Sequence, residues 1–324
     1  MARRRTPRPG RSRPGLRGWG WRTRAVLLAN LVILGLGGAW YAVQPPARQE
    51  EVRILLGNAL QRHKQVRLWE VAWDLYTLYY GHAFVPSSFS GGKQPVYAGV
   101  PRADGVPHSV RVLPNTGFVL GYCEAWSCPL WAAYRLFDVP TAGQNAERPA
   151  HFAVDARTAA RIRPEDYTGS GFDRGHLAPN FAIAHCYGAA AQTQTFLMSN
   201  TVPQRAALNS GPWRDLEQRE ALNYTARFRE LWVVTGPLFL DGERWLDAGV
   251  RIPDAFFKIQ VDEHEGGLRL QAFILKQDTG AGEKLGVFLT TVDEIERLSG
   301  LDFFTELDDA VETRLEAELP ARVW

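Results

Sequence analysis

Four consecutive residues, Asp173, Arg174, Gly175 and His176, place an acid, a cation, a small residue and an imidazole side by side in "SGFDRGHLAPN", residues 170–180. A histidine titrates near neutrality and suits general-base work. An arginine presents a planar fork that matches phosphate oxygens in pairs. Glycine lets the backbone approach a neighbour closely or take a conformation that other residues resist. Asp173 can pin the local geometry, and Pro179 with Asn180 ends the strand. A base beside a phosphate fork points to phosphoryl chemistry. Taken alone, such a run fits a solvated turn better than an active site, so the rest of the chain has to decide.

Phosphoryl transfer needs something to neutralise the charge that builds on the phosphate. A hard divalent cation with oxygen ligands is the usual agent. "LNSGPWRDLE", residues 208–217, offers such oxygens. Asn209 or Ser210 can cap a helix, with Pro212 in its first turn, where a missing N–H costs nothing. The pattern predicts a helix running to about Arg227. Asn209 then presents an amide oxygen at the helix start. Glu217 follows eight residues later, about 12 Å along the axis. Helical side chains lean toward the N-terminus, so a Glu217–water–metal link is easier than direct ligation by both residues. Singly, each has a plainer reading: an N-cap for Asn209 and a solvated helix face for Glu217.

The elements that must position these residues read as follows. "SVRVL", "GFVLGY", "LWAAYRLF" and "HFAVD" are short, β-rich and separated by turn residues, as are "RELWVVTGPLFL", "FFKIQVD", "LRLQAFILK" and "KLGVFLTT". Closing helices fit "VDEIERLSG" and "FTELDDAVETRLEAEL". Two sets of strands with a helix between them predict an α+β fold with a central antiparallel sheet and flanking helices. Upstream, residues 47–80 have a helical pattern. Trp69, Trp73, Tyr76 and Tyr80 recur on one face. That stripe reads as a packing face, against the main domain or against a second copy in a homodimer.

Charge is uneven. The chain has net charge +2, yet residues 1–24 hold nine arginines and no acid, so residues 25–324 carry −7. A polyanion must therefore be held by local positive groups. Residues 25–43, "AVLLANLVILGLGGAWYAV", contain one polar side chain, Asn30, and span about 28 Å as a helix. With arginines on one flank only, the segment reads as a transmembrane signal anchor. Its N-terminus would be cytoplasmic and the bulk of the chain extracytoplasmic, periplasmic in a bacterium. A cleaved signal peptide is the alternative, with "GGA" at 37–39 as its site. Cys123 and Cys128 can bridge a hairpin in an oxidising compartment or stay as buried thiols; their spacing fits neither CxxC redox chemistry nor a zinc site.

"SGFDRGHLAPN", "FLMSNTVPQ", "LNSGPWRDLE", "VVTGPLF", "IPDAFFKI" and "IERLSGLDFF" follow one another in an order and spacing that resembles the DNA/RNA non-specific endonuclease family, the ββα-metal, endonuclease G-like enzymes. The resemblance covers roughly residues 95–310. It implies His176 as the general base and Asn209 as the one direct protein ligand of a Mg²⁺, replaceable by Mn²⁺. It also implies that Glu217 holds a metal-bound water and that Arg174 steadies the phosphate. Asn200 and Gln204 would shape the site and Asp173 would be structural. Trp213 would pack the helix on the sheet. An ion touching only phosphate oxygens reads no bases, so both DNA and RNA are implied substrates, cut to leave 5′-phosphate ends. A family arginine one turn after the metal-site glutamate is replaced by Ala221, with Arg219 nearby on another face.

The expected organisation is an Arg-rich tail (1–24), a membrane anchor (25–43), a helical juxtamembrane segment (47–82) and a nuclease domain (95–310). Two other functions fit parts of this pattern. One is a nucleic-acid binding or uptake module of the same fold with weak catalysis, against which the intact His176, Asn209 and Glu217 stand. The other is a phosphodiesterase acting on small phosphates, for which the acidic body leaves room.

Overall fold

A computed structural model describes residues 21–81, 83–140 and 147–324. Most of the Arg-rich tail lies outside the described residues. The chain divides into two units, residues 1–54 and 55–324. In the first, helix α1 (Trp21–Ala42) has no buried residue and is long and apolar enough to cross a membrane. Helix α2 (Pro46–Ala59) follows it.

The second unit is built on one antiparallel sheet. Its strands are β1 (Val85–Pro86), β2 (Val110–Asn115), β3 (Phe118–Cys123), β4 (Cys128–Phe137), β7 (Glu230–Leu238), β8 (Ala255–His264), β9 (Gly267–Lys276) and β10 (Leu289–Thr290). They lie in the order β1-β9-β8-β7-β4-β3-β2, with β10 also on β9. β5 (Asp173–His176) and β6 (Thr201–Gln204) form a separate two-stranded ribbon. The β8–β9 hairpin turns on Glu265 and Gly266, both at positive φ, the geometry of a two-residue turn whose twist suits the strands it joins. The α+β architecture and central antiparallel sheet are those expected from the pattern of strands.

β4 is buried along all but its last residue, so both of its faces are covered. Side-chain alternation in β8 separates the two sides. Phe256 meets Trp213 on one side, and Phe257 meets Phe303 on the other. The Trp213 side carries helix α7 (Pro212–Gln218), a π-helical segment (Arg219–Tyr224) and α8 (Thr225–Phe228). The Phe303 side is close to α9 (Val292–Ser299) and α10 (Asp309–Ala317).

Several elements differ from expectation. "HFAVD" contributes only an isolated bridge, Ala153 to Leu197, and "KLGVFLTT" is a 3₁₀ turn leading into the short β10. The helical pattern over 47–80 is broken. α2 ends at Ala59, Gln65 takes a left-handed conformation, and α3 (Leu68–Tyr80) starts afresh. The aromatic stripe on α3 is only partly covered within this unit: Trp69, Trp73, Tyr76 and Tyr80 are exposed, while the Arg322 guanidinium stacks 3.6 Å over Trp73 and the stripe borders a groove shared with Trp324. The opposite face packs more fully, because it carries the groups that need burial. Val71 joins Leu55, Val66 and Ala226, and Asp74 accepts two hydrogen bonds from Arg227 at 2.7 and 2.8 Å. Cys123 and Cys128 are free buried thiols placed opposite each other across the β3–β4 pair.

Candidate active site

The β5–β6 ribbon and α7 frame a cavity of about 460 Å³ lined by Arg148, Arg174, His176, Asn209, Arg214 and Glu217 among others. Alternation along β5 puts Arg174 and His176 on one face. Gly175, between them, is needed for close approach. A Cβ there would stand 2.5 Å from Gln204 Oε1 and 2.7 Å from its Cβ. Gln204 is itself buried, and neither polar atom of its amide has a hydrogen-bond partner.

His176 packs against two touching rings, 5.0 Å from Phe152 and 4.9 Å from Phe196, centroid to centroid. The same rings carry two of the arginines. The Arg174 guanidinium lies 5.7 Å over Phe152 and that of Arg148 5.4 Å over Phe196. His176 Nε2 is buried with no hydrogen-bond partner. Burial, reinforced by the charge of Arg148, pushes the imidazole pKa down to about 3. The ring is therefore neutral at physiological pH, the form in which a base can accept a proton. Arg174 gives Nε and Nη2 to the Pro164 carbonyl at 3.0 and 2.6 Å, which fixes the guanidinium plane while the side chain still lines the cavity.

Asn200 is fully buried and works at one remove from the cavity. Its Oδ1 accepts from the Ala178 amide at 2.9 Å, and its Nδ2 donates to Ala178 and Thr195 carbonyls at 3.0 and 2.9 Å. The Leu177 amide donates to the Asn200 carbonyl at 3.0 Å. The chain immediately after His176 is thus held by one side chain and its own backbone.

Across the cavity, the expected helix forms with Pro212 in its first turn and continues through the π-helical segment to Phe228, but it starts later than the expected cap at Asn209 or Ser210. Asn209 ends a short helix, α6 (Ala206–Asn209), and α7 begins at Pro212 with Gly211 as its N-cap and no side-chain cap. The reason is local. Gly211 packs where a Cβ would meet the Ala207 carbonyl at 2.4 Å, and Pro212 has no N–H to continue the ladder. The expected 12 Å axial separation of Asn209 and Glu217 on one helix therefore does not apply, yet both line the same cavity. Asn209 Nδ2 donates to Asp173 Oδ2 at 2.9 Å. A carboxylate only accepts, so this bond fixes the amide orientation and leaves Oδ1 as the free donor atom for a cation.

Burial raises the Glu217 carboxyl to about 7, with Lys258 opposing the rise and Glu220 adding to it. Lys258 and Glu220 are both buried and paired at 3.3 Å. Tyr134 donates to Glu220 at 3.0 Å and Gln260 donates to its other oxygen. Lys258 also lies 4.6 Å over the Trp213 ring. This polar cluster beneath α7 sets the charge that Glu217 feels. Glu220 enters it from the π-helical segment, an irregularity that recurs at functional sites.

Among the cavity oxygens are the Asn209 amide and one reluctant carboxyl, that of Glu217, beside the neutral side chains of Asn180, Ser210 and Gln218. Mg²⁺ retains several waters and takes one or two carboxylates besides phosphate oxygens, so this sparse donor set fits it. Sequence reasoning missed Arg148 and Arg214. Arg148 comes from a loop far from either motif and Arg214 from an exposed position of α7, and neither stands out by type or spacing. Together with Arg174 they make the cavity locally basic within an acidic body.

The family model for DNA/RNA non-specific endonuclease matches residues 102–310. The chain is 32% identical over 214 residues to the mitochondrial Endonuclease G of Homo sapiens, covering 61% of this chain and 71% of that protein. It is 32% identical over 198 residues to a Nuclease of Serratia marcescens, covering 58% and 73%. The crystal structure of the EndoG/EndoGI complex superposes with a TM-score of 0.59 at 24% identity, over 68% of this chain and 94% of that one.

Proposed function

Because the chain belongs to the DNA/RNA non-specific endonuclease family, we propose that it is a metal-dependent endonuclease cutting DNA and RNA with His176 as the general base. The observation that carries this reading is the unpartnered, buried Nε2 of His176 in a cavity with three arginines on its walls and Asn209 and Glu217 among its lining.

Arg174, Arg148 and Arg214 draw a phosphodiester into the cavity and hold its non-bridging oxygens. His176 Nε2 takes a proton from water as the water oxygen attacks phosphorus. The bond to the 3′ oxygen breaks, that oxygen takes a proton from solvent water to leave as a hydroxyl, and the phosphate stays on the 5′ side. Asp173 keeps the Asn209 amide oriented. Asn200 holds the chain behind His176, and Gln204 backs Gly175. Asn209 would hold Mg²⁺ or Mn²⁺ directly and Glu217 would hold it through a water; when bound, the ion would supply charge neutralisation during phosphodiester cleavage. All of these contacts are to phosphate, so the reading favours little base preference.

Residues 95–310 form the catalytic domain in this scheme, with 47–82 as a juxtamembrane segment and α1 as a signal anchor behind the cytoplasmic tail of residues 1–24. The catalytic domain then lies outside the cytoplasm. The test is nicking of supercoiled plasmid and degradation of RNA with Mg²⁺ or with EDTA, beside His176→Ala. Activity should need the metal and fall on the order of 10²-fold or more in the variant. Wild-type activity in His176→Ala refutes the assignment. Retention in the membrane fraction after a high-salt wash tests the anchor, and release of a shortened soluble form refutes it.

A further inference from the structure

On the far side of the sheet from the cavity, α9 and α10 bring acidic side chains together. One carboxylate oxygen from each of Asp293, Glu296 and Glu316 lies within 4.8 Å of the other two. Asp293 and Glu296 share a face of α9 at a spacing of three residues. Glu316 comes from α10 and is 7% exposed, and its Oε1 is buried with no hydrogen-bond partner. An unsatisfied carboxylate in that position costs free energy that no neighbour repays.

The surroundings make the cost worse. Burial raises Glu316 to about 9, and the charges of Glu296, Glu312, Asp293 and Asp302 all push in the same direction. Burial raises Glu296 to about 7, against a hydrogen bond from the Phe303 amide to its Oε1 at 2.8 Å. Asp302, whose charge also raises Glu296, lies 3.9 Å from Arg102. Three oxygens mutually within 4.8 Å share a point no more than about 2.8 Å from each, so a small inward shift suffices for the roughly 2.3–2.6 Å of Ca²⁺–oxygen contacts; Mg²⁺, at roughly 2.0–2.1 Å and octahedral, asks for a closer and more regular approach.

We propose that Asp293, Glu296 and Glu316 bind a calcium-class divalent cation that clips α10 to α9, at a site separate from the catalytic cavity. α10 extends past residue 310, where the family match ends. Glu316 therefore belongs to a part of this chain outside the family's common domain. The ion satisfies Glu316 Oε1 and offsets the repulsion among the carboxylates. Water completes its shell on the exposed Asp293 side.

The test uses the full chain in detergent micelles, stripped with EGTA, on an Asn209→Ala background that disables the other proposed cation position. Calorimetric titration with Ca²⁺ alone should show one ion per chain, with at least a tenfold preference over Mg²⁺. Glu316→Gln and Asp293→Asn should each weaken Ca²⁺ binding tenfold or more. Ca²⁺ should raise the unfolding midpoint of the parent and leave that of Glu316→Gln unmoved. Asp293 is exposed, so its substitution keeps the test valid if the buried one impairs folding. Absence of Ca²⁺ binding overturns the proposal. So does equal binding by the parent and Asp293→Asn, or Glu316→Gln becoming more stable without Ca²⁺ while the parent gains nothing from the ion.

Discussion

Replacing Glu217 by Gln should make the metal-free protein more stable and the enzyme less active, with the stability gain confined to high pH. Burial raises the Glu217 carboxyl from 4.5 to about 7. A raised carboxyl binds its proton more tightly folded than unfolded. Its contribution to stability is therefore fully present below the unfolded value and is lost as pH rises through the folded one. At pH 8 the folded state holds an ionised, poorly solvated carboxylate, whereas at pH 5 it holds a neutral acid. With 1.36 kcal/mol per pH unit, the pH-dependent loss between these conditions is on the order of 2–3 kcal/mol. Gln cannot ionise and keeps the shape, so it removes that loss. The assay is urea unfolding in EDTA at pH 5 and pH 8. The variant should gain on the wild type by about 2–3 kcal/mol more at pH 8 than at pH 5. Saturating Mg²⁺ should shrink the gap, because only the wild type offers a charged carboxylate to hold the ion's water. A stability difference that is the same at both pH values would refute the reasoning, because the cost would then not be one of ionisation.

Other outcomes follow from the same geometry. Gly175→Ala drives a methyl into the buried Gln204 side chain, which should cost roughly 1–3 kcal/mol and lower kcat by displacing His176; Gln204→Ala in the same chain should recover part of both losses. Asp74→Ala strands the buried Arg227 guanidinium and should cost about 3–5 kcal/mol in urea unfolding. Arg148→Ala removes a positive charge that depresses His176, so an NMR titration should show the imidazole pKa rising while KM for plasmid increases. If the pKa stays in place, burial alone holds it down.

What was legible in the sequence was local. The α+β alternation, the apolar α1 and motifs such as "SGFDRGHLAPN" and "LNSGPWRDLE" rest on spacing along the chain, which short-range sterics and side-chain periodicity record faithfully. Trp213 packs against Phe256 of β8, as the family resemblance implied. Residue type offered His176, Arg174, Asn209 and Glu217 as candidates, and the order and spacing of the motifs that hold them tied them to one family.

Tertiary structure decided everything that depends on who arrives next to whom. The helix expected to be capped by Asn209 or Ser210 starts instead at Pro212 with Gly211 as its cap, which leaves Asn209 at the end of the preceding short helix. Asp173 turns from a local brace into the group that orients the Asn209 amide. Arg148 joins the cavity from a distant loop, and Lys258 and Glu220 tune Glu217 from a strand and a π-helical segment. The aromatic face of α3 stays largely exposed, because Asp74 and Val71 had the stronger claim to burial. Periodicity says which residues share a face of one element. Only packing says what that face meets, and the electrostatics of a site depend on that meeting.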